Sequence, residues 1–214
     1  MGLKKKIINA TCKYLLSKGT FTSKRTDISK IRSFLKTIVP KKLKIDNIRI
    51  GGSNDGGYVV PNDLEGVKYC FSPGVGNLTN FENDLTKKNI HCYLADFSVS
   101  PKILNELINF EKKFIGPVSN ENYLNLKDWI SSKIDYKKNN DLILQLDVEG
   151  DEYEIINSLD IDTLKKFRII LIEFHNLHYL FDDFYYPKIQ KIFKILSEFF
   201  YCSHIHPNND VDFV

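Results

Sequence analysis

Acidic residues are nearly missing from the first part of this chain. Before Ile45 the only acid is Asp27, and every other charged side chain there is Lys or Arg. The sequence also has no Cys-x-x-Cys pair. Its four cysteines, Cys12, Cys70, Cys92 and Cys202, are widely separated, which argues against a zinc framework. It has no apolar run long enough to span a bilayer, and the apolar stretch after Lys4–Lys6 is too short for a secretory signal. Position 6 is Lys rather than the Ser or Thr that N-myristoylation needs. No internal repeat and no low-complexity tract is visible. The expectation is a protein with reduced thiols, located in the cytoplasm, in which Cys70, Cys92 and Cys202 pack as small hydrophobes within apolar runs.

What is present is ordinary for a soluble globular protein. The chain has 214 residues, 43% hydrophobic and 27% charged, enough for one α/β domain with a full core and a short extension. The net charge of +3 hides an asymmetry: a basic extension over residues 1–44 and a remainder that is acidic on balance. Residues 3–18 predict an amphipathic helix, with Ile7, Ile8, Cys12, Tyr14, Leu15 and Leu16 forming a loose apolar stripe. A second helix is expected from Asp27 or Ser29 to about Lys36, ended by Pro40. A basic arm of this kind suits peripheral contact with a membrane or an anionic glycan, or it is simply a solvated helical face.

From Ile45 the pattern changes to alternating strands and helices. Strands are expected at Lys68–Ser72, His91–Asp96, Lys112–Ile115, Leu142–Asp147, Arg168–Phe174 and Tyr201–His206. Helices are expected near Asn80–Lys88, Lys102–Asn109, Leu124–Ser132, Glu152–Leu159 and Pro187–Phe200. Alternation of this kind implies βαβ units and a mostly parallel sheet, an α/β fold. The nearly unbroken apolar runs at 142–146 and 169–172 read as strands buried on both faces.

The first of these strands runs into Pro73-Gly74-Val75-Gly76-Asn77, and a helix follows. Glycines there allow a tight turn close to a ligand, with free N–H groups at the helix start. Asp96, about 20 residues on and at the end of the next strand, is placed to bond the ribose hydroxyls of an adenosine cofactor. A dinucleotide site needs a third small residue in G-x-G-x-x-G/A, and here that position is Thr79, with no basic residue in the loop to meet a pyrophosphate. The loop therefore favours S-adenosylmethionine (SAM) over NAD.

After the fourth strand comes Asp147-Val148-Glu149-Gly150-Asp151-Glu152. Asp147, the last strand residue, should face the ligand crevice, whereas Asp151 and Glu152 suit the first turn of the next helix as capping acids. The fifth strand ends in Glu173-Phe174-His175, which puts Glu173 and His175 on one side. Asp147, Glu173 and His175 thus form an acid/histidine cluster at the mouth of the sheet. It could supply a general base, with Glu173 orienting His175, or it could hold a divalent metal.

Four segments carry a resemblance: 49–52 with 55–59, 71–76 with Phe81-Glu82, 144–154, and Ile172-Glu173-Phe174-His175. They resemble FkbM-like and related SAM-dependent methyltransferases, over roughly residues 45–209. The resemblance implies a Rossmann-like class I methyltransferase sandwich over residues 45–214, SAM as methyl donor, and a carbohydrate hydroxyl as acceptor. It implies that Gly74 and Gly76 bound the methionine end of SAM, that Asp96 binds ribose with Phe97 beside the adenine, and that Pro117, Val118 and Ser119 line the adenine pocket. Asp55, Gly56, Gly57 and Tyr58 would cover the cofactor, and Asp147 and His175 would face the acceptor. Acceptor choice would lie in residues 176–186, where Asn176, His178, Tyr179, Asp182, Asp183, Tyr185 and Tyr186 offer stacking and hydrogen bonds. One departure stands out: such folds close with a seventh, antiparallel strand, and only Val211–Val214 could begin it. The rival readings are a nicotinamide-dependent enzyme on the same sheet, and a module that binds SAM or a glycan without turnover. Nucleic-acid methylation is not expected, because the core is acidic and lacks an Asn/Asp-Pro-Pro-Tyr/Phe signature.

Overall fold

The computed structural model describes residues 3–20, 22–53, 56–103 and 105–207. Two helices lead, α1 (Leu3–Ser17) and α2 (Ile28–Thr37), then a hairpin of β1 (Asn47–Ile50) and β2 (Tyr58–Pro61). The αβ body follows: β3 (Tyr69–Pro73), α3 (Asn80–Thr86), β4 (His91–Ala95), β5 (Ile108–Glu111), β6 (Phe114–Gly116), β7 (Tyr123–Asn125), α4 (Leu126–Lys133), β8 (Leu142–Leu146), α5 (Glu152–Ser158), α6 (Ile161–Leu164), β9 (Phe167–Ile172), a 3-10 turn (Leu177–Phe181) and α7 (Tyr186–Phe199). Five strands form one parallel sheet in the order β5-β4-β3-β8-β9.

Period-two alternation distributes the strand residues between two cores. Leu142, Leu144 and Leu146 of β8 join Phe71, Trp129, Ile130, Ile155 and Ile192 on the face covered by α4, α5 and α7. Ile143, with Cys70, Cys92 and Leu94, faces α3 and the hairpin, against Phe81, Leu85, Ile50 and Val60. Helices cover both faces of the sheet, which is why its central strands are apolar apart from Ser72 and Gln145.

The basic extension divides in two. On α1, Ile7, Ile8, Tyr14 and Leu16 remain exposed. By contrast, α2 is capped by Asp27, whose carboxylate accepts from Ser29 N at 2.7 Å, and it packs Ile31 and Phe34 against Leu180, Tyr186 and Ile189. Burying each of those two side chains contributes about 1.5–3 kcal/mol. The chain ahead of α2 is stitched on as well: Thr26 N donates to Phe181 O at 2.8 Å, and Lys24 pairs with Asp183 at 3.0 Å.

Three expected elements form differently. The helix expected at Lys102–Asn109 does not form. Asn105 makes a turn, its side chain accepting from Leu107 N at 2.9 Å, and the chain enters the sheet as β5, which starts four residues before the expected strand. Pairing of β5 with β4 (Cys92↔Ile108 to Ala95↔Glu111) outweighs the local helical spacing of Ile103, Leu107 and Ile108. The expected strand at Lys112–Ile115 is interrupted by a turn in which Lys113 N donates to Glu111 O at 2.8 Å; Phe114 onward pairs with β7 instead. Residues Tyr201–His206, expected as a sixth strand, are not a strand. Tyr201 and Ile205 are exposed, and the segment is held to the chain ahead of β1 and to β1 itself, by Lys41 N to Cys202 O at 2.8 Å and Asn47 Nδ2 to Ser203 O at 3.1 Å. Val211–Val214 lie outside the described residues.

Candidate active site

The sheet order places a topological switch between β3 and β8: β4 and β5 lie on one side, β9 on the other. Loops at the carboxyl ends of those two strands part there and leave a crevice. A cavity of about 380 Å³ fills it, lined by Gly74, Val75, Gly76 and Asp96 from the β3 and β4 side and by Asp147, Val148 and Glu149 from the loop after β8. Its size falls in the range typical of cofactor and ligand sites.

The glycine turn is built by steric necessity. Gly74 has φ +80°, and a β-carbon there would sit 1.5 Å from the carbonyl oxygen of Asp147. Its N–H donates to Ala95 O at 2.9 Å, while Asp147 N donates to Pro73 O at 3.3 Å. The ends of β3, β4 and β8 are thus pinned together. Gly76 also has positive φ, but open space surrounds its α-carbon. Asp96 ties the turn from the far side. One carboxylate oxygen accepts from Gly76 N at 3.1 Å, and the other accepts from Ser98 N at 2.8 Å and Ser98 Oγ at 2.6 Å. The carboxylate is buried but lines the cavity.

The remaining wall was only partly foreseen. Gly56 and Tyr58, expected from the resemblance to cover the cofactor, line the cavity; Gly57 is the loop residue between them, and Asp55 lies outside the described residues. Phe97 is 38% exposed and packs on Phe114 with ring centroids 5.3 Å apart. The wall expected from Pro117, Val118 and Ser119 is instead made by Phe114, Ile115 and Tyr123. Pro117 to Ser119 form the turn beyond it: Asn125 Nδ2 donates to Pro117 O at 2.8 Å, Asn125 N donates to Ser119 Oγ at 2.8 Å, and Val118 is 67% exposed. The break at Lys112–Lys113 moved the aromatic residues onto the wall.

A buried polar chain that sequence reading missed lies along the α3 side. Gln145 Nε2 donates to Tyr58 Oη at 2.9 Å, Ser72 Oγ lies 2.6 Å from Gln145 Oε1, and Ser72 Oγ also donates to Glu82 Oε1. Tyr58, Gln145 and Glu82 all border the cavity. Burial pushes the Glu82 carboxyl up from its ordinary range, and burial together with Asp147 and Glu173 pushes the Tyr58 phenol up. The signal available in the sequence was a glutamine inside an otherwise aliphatic strand.

The acidic turn after β8 delivers three carboxylates. Glu149 adopts φ +56° and Gly150 φ +118°, a left-handed excursion that turns the chain back over the sheet edge. Asp147 is pushed up to about 7, first by burial and then by the charge of Glu173. His175 lies beyond β9 with Nδ1 2.8 Å from Glu152 Oε1 and Nε2 3.8 Å from Asp147 and 3.5 Å from Glu149. Burial works against the imidazolium, but the Glu152 bond and the charges of Glu152, Asp147 and Glu149 outweigh it, so its pKa is raised. Glu152 is fully buried and also accepts from Val148 N and Gly150 N. It sits in the first turn of α5 as expected, but its carboxylate bonds the loop ahead of the helix rather than capping it, and it orients His175, the task expected of Glu173. Glu173 continues the ladder by donating its N–H to Leu146 O at 3.0 Å, and its charge acts on Asp147 and Tyr58.

With this geometry in place the comparisons are direct. Residues 74–201 match the Methyltransferase FkbM domain, and the chain belongs to that family of SAM-dependent methyltransferases. The nicotinamide reading is thereby set aside. No curated protein and no solved structure matches the chain. Among the described residues no helix is long and apolar enough to cross a membrane.

Proposed function

We propose that the protein transfers the methyl group of SAM to a hydroxyl of a carbohydrate or sugar-derived acceptor. The observation that carries this reading is the one cavity lined both by the Gly74–Gly76 turn with Asp96 and, beside it, by Asp147. The adenosine and methionine ends of SAM suit the first; an acceptor oxygen suits the second. As the new C–O bond forms, the C–S bond breaks and its electron pair stays on sulfur, giving S-adenosylhomocysteine. The hydroxyl proton is released at the Asp147 and His175 cluster. Much of the rate comes from holding the oxygen in line with the sulfonium methyl.

The segment after His175 supports a sugar acceptor. Tyr179 and Tyr185 stack with centroids 4.8 Å apart, and both are exposed along with Phe181 and Phe184, in the segment that follows the carboxyl end of β9. Faces of this kind suit the C–H surface of a sugar ring. Asp182 and Asp183 serve a different end from the one expected, since they bond Ser23 and Lys24 and anchor the N-terminal segment. Tyr186 is buried and donates to Lys30 O at 3.1 Å. Calorimetry with SAM, followed by a methyl-transfer screen over sugars and nucleotide sugars, tests the proposal. SAM binding with turnover on a sugar hydroxyl supports it. SAM binding with turnover only on non-carbohydrate acceptors refutes the acceptor assignment.

A further inference from the structure

Asp147, Glu149 and His175 each present one ligand atom, and those atoms lie within 4.8 Å of one another. They come from two separate loops, those after β8 and β9, and converge at one corner of the cavity, which Asp147 and Glu149 line. A second observation makes this more than crowded acids. Glu152, wholly buried, holds His175 by Nδ1 at 2.8 Å. With the proton on Nδ1, the Nε2 lone pair is aimed at the two carboxylates. A carboxylate fixing the far nitrogen of an imidazole is the arrangement that prepares histidine to bind a metal.

Charge points the same way. Among the described residues no lysine or arginine forms an ion pair with Asp147, Glu149 or Glu152, and His175 is the basic group placed between them. Three carboxylates around one imidazole leave a negative excess that a divalent cation matches. Glu149 is 88% exposed at its side chain, so a cation can enter from solvent and keep open positions for water and a substrate oxygen.

We infer that Asp147, Glu149 and His175 bind a divalent cation of the Mg²⁺ or Mn²⁺ class, oriented by Glu152, and that the acceptor hydroxyl is its fourth partner. The two carboxylate oxygens suit Mg²⁺ or Mn²⁺, and the imidazole is the softer ligand of the set. Coordination acidifies the hydroxyl, its proton leaves to water, and the oxygen that attacks the methyl carbon stays bound to the cation. Asp147 and His175 then act through the cation. This deepens the methyl-transfer reading and rests on it only for the role of the cation.

The test uses the full chain, stripped of metal and titrated with Mn²⁺ while free Mn²⁺ is followed by electron paramagnetic resonance. One bound Mn²⁺ per chain is expected, with nitrogen coupling from one imidazole. Glu149→Gln and His175→Gln should each weaken binding by more than about tenfold, and His175→Gln should abolish the nitrogen coupling. Circular dichroism verifies that each variant is folded; Glu149, being exposed, tolerates its change even where His175 does not. No binding by the wild type, or equal binding by Glu149→Gln, overturns the inference. SAM is titrated separately by calorimetry in metal-free buffer: Mn²⁺ bound without SAM overturns the methyltransferase reading and sustains the cation site, and SAM bound without Mn²⁺ does the reverse.

Discussion

The β-carbon that Gly74 lacks would lie 1.5 Å from the carbonyl oxygen of Asp147. The cofactor turn and the strand end that faces the acceptor are therefore one packed unit. A side chain at Gly74 must displace backbone on β8. Gly74→Ala is expected to cost about 1–3 kcal/mol from overpacking alone and to abolish SAM binding. Gly76→Ala meets open space and carries only the left-handed backbone penalty of roughly 1–2 kcal/mol. Urea denaturation with SAM calorimetry separates them; equal losses at the two glycines would contradict this packing.

Asp96 both closes the turn on Gly76 and borders the cavity. Asp96→Ala removes charge-assisted bonds of about 1.5–3 kcal/mol each, and SAM affinity is expected to fall by tenfold or more. Calorimetry reads this directly, and an unchanged dissociation constant would remove Asp96 from the cofactor site.

Glu82 offers a pH test away from the acceptor. Its folded pKa is raised by burial above the ordinary carboxyl value of 4.5, so the folded state holds a proton that the unfolded chain has released. Stability from this group is present at pH below 4.5 and is lost as pH rises from there through the folded pKa. Glu82→Gln cannot ionise. Relative to that variant the wild type should lose stability as pH rises above 4.5. Parallel stability profiles for the two proteins would contradict the assignment.

The apolar residues of α1 are largely exposed, whereas α2 packs into the body through Ile31 and Phe34. Removing residues 1–20 should leave the unfolding midpoint nearly unchanged, while Phe34→Ala should cost about 3–5 kcal/mol. Thermal denaturation of both tests whether the extension divides where the contacts do.

Much of this was legible in the sequence, for a physical reason. Strands buried on both faces advertise themselves, and 142–146 and 169–172 mark β8 and β9 almost to the residue. The turn at Gly74 and the acid at Asp96 followed from strand ends and spacing. What stayed hidden depends on contacts distant in sequence. Helical spacing at Ile103–Ile108 yields to pairing with β4, which no local pattern reveals. The residue that holds His175 looked like an ordinary helix cap because Glu152 falls in the first turn of α5; that its one oxygen meets Val148 N, Gly150 N and the imidazole depends on a loop 23 residues on. Phe114 and Tyr123 reach the cavity only because β6 leaves the sheet to pair with β7.

The central claim is that Asp147 serves methyl transfer to a hydroxyl. The direct measurement is formation of S-adenosylhomocysteine, with methylated acceptor quantified alongside it, for wild type and Asp147→Asn on an active sugar substrate. The account predicts that the variant still binds SAM but turns over at least about 100-fold more slowly. Near-normal turnover by Asp147→Asn would contradict it.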